Sequence, residues 1–340
     1  MRLRRLVLRL GSNVPSSLDN FDAGYDALST GVAILDRSHM GRVVASGGDA
    51  LDLINRFSTN ETTGLADGDV VITVLTSQIG HVLELITVVR RSATESILMT
   101  GLDAEDMVVE WLDRYNFGED CDFDVSTATS AQITISGPKA TDLGINLPEP
   151  GRYTTAEIDG VEVHIVAISG PSLASYEVLI DEKSQASTVW DELLARGGVP
   201  TREDAFDVLR VEKGLSARSG EISNEANPLE AGLLPYVDFD KGCYMGQEII
   251  ARLHTYDKLQ RRLVGLLSES GTALYADSSL KAGDREVGRI TSAVTSRSLG
   301  RPIAMAYVRK AHTGPGTVLE SVNGPVEVVE LPFAAEVIPG

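Results

Sequence analysis

The sequence predicts an α+β body followed by a small β-barrel. Between about residues 21 and 255, strand-length and helix-length segments follow one another irregularly, unlike the strict alternation of a doubly wound sheet. From about Gln260 the pattern changes to short apolar runs at regular spacing, parted by Gly, Ser and Asp, which suits a small barrel. A chain of 340 residues is also long for one core, so two or three domains are expected.

Residues 1–20 read as a poorly determined leader ending in a Ser/Asn/Pro-rich turn. Residues 21–28 suit a short helix, and residues 31–36 and 43–46 suit strands. A helix opens at Gly48-Asp49-Ala50, with Asp49 as its N-cap and Leu51, Leu53, Ile54 and Phe57 on its apolar side. Residues 70–76 and 83–89 are β-branched runs joined by Ser77-Gln78-Ile79-Gly80-His81, a hairpin. Residues 104–115 are helical by period, with Met107, Val108, Trp111 and Leu112 apolar. Strands follow at 132–136, 161–168 and 177–180, and helices at 187–195 and 204–211. A domain boundary falls near Thr255-Tyr256-Asp257-Lys258, leaving a body over 21–255 and a barrel over 256–340. The barrel strands are expected at 262–267, 274–275, 287–291, 303–308 and 318–322.

Composition excludes several functions. A net charge of −19 opposes binding along a nucleic-acid backbone unless the basic residues cluster. The two cysteines, Cys121 and Cys243, lie far apart with no CxxC or His-rich cluster, so no structural zinc is expected. Few cysteines and no secretory signal suggest a reducing cytoplasm. No apolar run approaches the roughly 18 residues of a membrane span.

The most informative stretch is Lys241-Gly242-Cys243-Tyr244-Met245-Gly246-Gln247-Glu248. Gly242 and Gly246 permit a tight backbone path, and helix-start signals put Cys243 just ahead of a helix N-terminus. That end, with Lys241 two residues away, would favour a thiolate. A lone cysteine is more often a small buried hydrophobe, and the local chemistry leaves both roles open.

Lys-Gly-Cys-Tyr-x-Gly-Gln-Glu resembles the signature of the YgfZ-type folate-binding proteins, relatives of the T-protein (aminomethyltransferase) of the glycine cleavage system. The resemblance extends to the helix closed by Thr59-Asn60, to Tyr176-Glu177, and to Arg210-Val211-Glu212-Lys213-Gly214-Leu215. It continues through Asn227-Pro228-Leu229-Glu230-Ala231-Gly232-Leu233 and Gly288-Arg289-Ile290-Thr291-Ser292, covering roughly residues 21–330. It implies a pseudo-symmetric, ring-like folate-binding body with a C-terminal barrel.

It also implies tetrahydrofolate as ligand. Glu177, beside Tyr176, would meet the two neighbouring donors of the pterin edge as a carboxylate meets a guanidinium. Arg210 would meet the anionic glutamate tail; its alternative is a buried ion pair with Glu212 or another acid. Asn60 would be a ligand contact or a helix C-cap. In the T-protein an acidic pair follows a Gly-Gly turn; here Glu84 keeps one acid and Leu85 replaces the other. Cys243 stands where an Asp is common, and Gln247, among the ligand-binding positions, where a basic residue is common. These departures favour a tetrahydrofolate-binding accessory protein supporting iron–sulfur cluster assembly or repair. Its reactive pair would be Cys243 and Lys241, and its partners iron–sulfur assembly factors or client proteins. The alternative is a folate-dependent aminomethyltransferase. A cavity lined by Glu177, Arg210 and the Cys243 loop would distinguish a folate binder from an interaction module.

Overall fold

The computed structural model describes residues 21–168, 175–218, 220–269 and 271–333. The leader over residues 1–20 lies outside them. In chain order the body holds α1 (Phe21–Thr30), β1 (Ala33–Asp36), β2 (Met40–Ser46), α2 (Ala50–Phe57), β3 (Val70–Thr76), β4 (Val82–Ser92) and β5 (Glu95–Leu102). It continues with α3 (Glu105–Asp113), β6 (Asp122–Val125), β7 (Ala131–Ser136), β8 (Tyr153–Ile158), β9 (Val161–Ala167) and β10 (Ser175–Ile180). Then come α4 (Ala186–Ala195), β11 (Val199–Pro200), α5 (Glu203–Glu212) and α6 (Gln247–Thr255).

These strands form two sheets. The first has the order β3-β4-β5-β2-β6 and contains the expected hairpin. The apolar faces of α2 and α3 cover it, Leu53, Ile54, Val108 and Leu112 packing on Val43, Ile86 and Leu98. The second has the order β11-β1-β7-β10-β9-β8. Side chains alternate across a strand, so Ile133, Ile135, Val178 and Ile180 face α4 and its Trp190. The opposite face, carrying Gln132, Thr134 and Glu177, turns toward the first sheet. There Val166 and Leu179 meet Val70, Val89, Ile97 and Met99. Gln132, Thr134 and Glu177 are all buried.

The C-terminal unit is a closed six-stranded barrel of β12 (Arg261–Ser268), β13 (Ser279–Ala282), β14 (Arg285–Ser296), β15 (Arg301–Arg309), β16 (Val318–Ser321) and β17 (Gly324–Val329). Pairing of β17 with β12 closes it. The fold class is thus α+β with a barrel, as the sequence predicts.

Local expectations fail in instructive places. Leu274-Tyr275 is not a strand: Leu274 packs into the barrel core from a loop, Tyr275 is exposed, and the strand begins at Ser279. No expectation covers strands β5, β6, β8, β11 and β17; β6 and β8 are sheet edges with polar, half-exposed sequences, β11 has two residues, and β17 opens with Gly324-Pro325. Asp49 occupies the N-cap position without capping: its Oδ2 accepts the Asp120 N–H at 2.9 Å, while Asp120 Oδ2 accepts the Gly48 N–H. No described helix is long and apolar enough to cross a membrane.

Candidate functional site: two buried carboxylates and a clamped cysteine loop

Glu177 lies on β10, 5% exposed, directly across from Thr134 of β7. Its Oε2 accepts the Gln132 Nε2 donor at 2.8 Å and the Thr134 hydroxyl at 2.6 Å. Both donors are neutral. Burial pushes its carboxyl above the ordinary value of 4.5, with Arg37 opposing from a distance and engaged in its own ion pair with Glu203. Behind Gln132 sits Arg42, 1% exposed, which donates to neutral oxygens of Ser38, Met40, Thr127, Ser130 and Gln132. Burial pushes Arg42 down to about 10. Tyr176 is the next residue on the strand, so it points the other way and packs against the α4 core. The Tyr-Glu pair therefore does not line one surface.

Glu84 lies on β4, 1% exposed. It accepts the Leu85 N–H at 3.2 Å and pairs with the Arg218 guanidinium. Its carboxyl is also pushed upward, burial outweighing Arg218. Gly101 of β5 makes room for this pair. A Cβ there would come within 2.6 Å of Arg218 Cδ and 3.2 Å of Glu84 Oε1.

The octapeptide is held at Lys241, Tyr244, Met245, Gly246 and Gln247. The Lys241 ammonium points into the C-terminal end of α2 and donates to Asn55 O, Asn55 Oδ1, Ser58 O and Asn60 O at 2.7–2.9 Å. Cations are favoured at that end by the helix dipole and by the free carbonyls. Lys241 also lies over the Tyr244 ring, and burial pushes it down to about 8. Tyr244 packs with Val237 and Ile250. Met245 donates its N–H to Arg56 O and accepts the Thr76 hydroxyl at 2.6 Å. Gly246 has φ +83° and crosses Gly80 of the β3–β4 turn so closely that a Cβ would meet Gly80 Cα at 2.7 Å. Of the two bracketing glycines only Gly246 is required; Gly242 has no positive φ and faces open space. Gln247 opens α6, its Nε2 donating to Lys241 O at 3.4 Å. Cys243 is exposed, whereas Cys121 is buried, its thiol pushed up by burial and by Glu119, Asp49, Asp122 and Asp113.

Lys241 is therefore a clamp rather than a partner for a thiolate. Asn60 is neither a C-cap nor a free side chain: α2 is capped by Ser58, Asn60 Nδ2 donates to Ile72 O, and its Oδ1 accepts the Glu61 N–H.

Arg210 faces the barrel. Its Nε donates to Asp207 at 2.5 Å, its Nη1 to Leu215 O and to Glu221 at 3.1 Å, and its Nη2 to Ser292 at 2.8 Å. Glu221, fully buried, also accepts the Thr291 and Ser292 hydroxyls and the Ala217 N–H. Gly288-Arg289-Ile290-Thr291-Ser292 is thereby tied to the body. The buried ion pair forms, with Glu221 as partner; Glu212 instead accepts Tyr25 and Ser296 hydroxyls. The sequence reading missed Glu221, Arg42 and Arg218. Only Arg42 carried a signal, as a charge inside the apolar strand run 40–46.

Glu177, Arg210 and the Cys243 loop thus do not converge by direct contact. A cavity of about 200 Å³ lies between the sheets instead, lined by residues that include Arg42, Arg91, Ile97, Ser130, Leu179 and Asp181.

The GCVT N-terminal domain family matches residues 15–241, and the glycine cleavage T-protein C-terminal barrel domain matches residues 261–334. A putative chloroplastic transferase of Arabidopsis thaliana is 30% identical over 95% of this chain and 76% of its own length. An aminomethyltransferase of Saccharopolyspora erythraea is 30% identical over 95% of this chain and 92% of its own. The crystal structure of the glycine cleavage system aminomethyltransferase T from Bartonella henselae superposes with a TM-score of 0.82, covering 93% of this chain and 90% of that one at 20% identity. With both domains matched in order and an aminomethyltransferase aligned over more than nine-tenths of both chains, this chain belongs to the glycine cleavage T-protein (aminomethyltransferase) family.

Proposed function

We propose that this protein binds tetrahydrofolate through Glu177 and acts as a folate-dependent transferase of the aminomethyltransferase kind, with Glu84 as its acid–base group. The observation that carries the reading is the state of Glu177. Among the described residues Glu177 is held only by two neutral donors, fewer hydrogen bonds than an ionised carboxylate accepts in water. A pterin edge, itself neutral, offers two adjacent N–H donors and would add hydrogen bonds that stabilise the ionised form. Perturbed carboxyls cluster at functional sites, and Glu84 is, like Glu177, raised by burial. The names of the relatives favour the transferase over the accessory reading. The test is to titrate the purified protein with tetrahydrofolate and to assay aminomethyl transfer to it. Activity in the native protein and its loss in Glu84→Gln, with binding retained, supports the reading; failure to bind tetrahydrofolate rejects it.

One observation favours a second reading, the YgfZ-type accessory protein working with iron–sulfur assembly factors or client proteins. Cys243 offers an exposed thiol on a loop fixed at Lys241, Met245 and Gly246. On this reading iodoacetamide labels Cys243 faster than Cys121 at neutral pH, and tetrahydrofolate slows only Cys243. Equal labelling of the two cysteines counts against it, as does Cys243→Ser with unchanged aminomethyl transfer.

A further inference from the structure

Arg218 and Glu84 are an unequal pair. The carboxylate is 1% exposed and the arginine side chain 32%, so the guanidinium covers Glu84 from the outer side. The arginine stem lies across Gly101, where any Cβ would strike it. Arg218 donates to Glu84 alone among the described residues, whereas Arg210 is committed to four acceptor residues, two of them carboxylates. An anionic ligand reaching this pair can draw off Arg218, which is 32% exposed, without breaking the seam between body and barrel; it cannot draw off Arg210.

Resting on the folate reading above, we propose that Arg218 is a gate over Glu84, exchanging the carboxylate for an anionic group of the ligand, which in a folate is the glutamate carboxylate. The exchange has a protonic consequence. Among the described residues Arg218 is the charged group that acts on Glu84, and the backbone N–H groups of Leu85 and Gly101 act beside it. Once the guanidinium moves to the ligand, a carboxylate at this depth is left without a cation, and burial drives a proton onto it from solvent. Ligand binding and proton uptake are therefore coupled.

The experiment is isothermal titration calorimetry of the full-length protein, its Arg218→Gln variant and its Arg218→Lys variant at pH 7, in two buffers of different ionisation heat. The ligands are tetrahydrofolate and 6-methyltetrahydropterin, which keeps the ring and lacks the glutamate. The native protein is expected to bind tetrahydrofolate at least tenfold more tightly than the pterin, with buffer-dependent heat for tetrahydrofolate only. Arg218→Gln should lose about tenfold toward tetrahydrofolate, leave the pterin unchanged and abolish the buffer dependence. Arg218→Lys should restore part of both effects. Unaltered thermal melts show that the variants fold. Equal affinity of Arg218→Gln and native protein for tetrahydrofolate overturns the gate while leaving the folate reading standing. An equal loss toward both ligands overturns it too, because the arginine is then only a scaffold. Absence of binding of either ligand by the native protein rejects the folate reading itself, and the gate with it.

Discussion

Glu177 and Glu221 are both buried carboxylates on the same chain, and their surroundings could hardly differ more. Glu221 receives a guanidinium, two hydroxyls and a backbone N–H. Glu177 receives one amide and one hydroxyl, and its nearest acting cation is paired elsewhere. The first arrangement satisfies a charge by joining two domains, and it asks for nothing further. The second leaves a charge under-compensated inside the fold, a condition a donor-rich ligand relieves. The contrast separates structural charges from candidate binding charges without appeal to position in a motif. Lys241 stands between the two: four oxygens satisfy its ammonium, but all are neutral, and burial pushes it down to about 8.

The comparison can be broken at its structural end first. Glu221→Ala leaves Arg210 buried with only the solvent-exposed Asp207 as carboxylate partner, and removing one partner of a buried pair costs about 3–5 kcal/mol. Urea melts should show that loss together with early release of the barrel. A change below about 1 kcal/mol would mean the seam is not held by this charge.

Lys241 supplies a smaller, pH-dependent test. Its folded value is about 8 against an ordinary 10.5, so the unfolded chain binds the extra proton between those limits. Stability then rises with pH through that window, and the contribution is lost again as pH falls through about 8. Tyr25, Tyr236 and Tyr244, each pushed up to about 12, act in the opposite sense at the upper end. The informative quantity is therefore the difference between native protein and Lys241→Met in melts from pH 7 to 10.5. A rising difference places the buried ammonium as described; a flat one contradicts it.

Much of this was legible in the sequence, and for physical reasons. Period and turn chemistry marked the hairpin, the helices and the change to a barrel. The octapeptide announced itself, and Gly246 needs to be glycine because two backbones cross at Gly80. Strand parity could have shown that Tyr176 and Glu177 face opposite ways. Other features left no local trace. Glu221 pairs with Arg210 only because the intervening loop brings it back to the end of α5 against β14. The Lys241 side chain looked available for Cys243 in sequence, yet residues 55–60 claim it from some 180 positions away. Long-range partners of charged side chains are set by tertiary packing, which neither propensity nor spacing encodes.

The central claim is that Glu177 is a charge waiting for hydrogen-bond donors. The direct measurement is tetrahydrofolate affinity and thermal stability of Glu177→Gln beside the native protein. A carboxyl raised by folding contributes stability fully below about 4.5 and loses it as pH rises. The variant should therefore match the native protein in melting temperature at pH 4 and equal or exceed it at pH 7. Its tetrahydrofolate affinity should fall about 10- to 150-fold, the loss of charge-assisted hydrogen bonds worth about 1.5–3 kcal/mol. Unchanged affinity, or a collapse in stability like that expected of Glu221→Ala, would contradict the account.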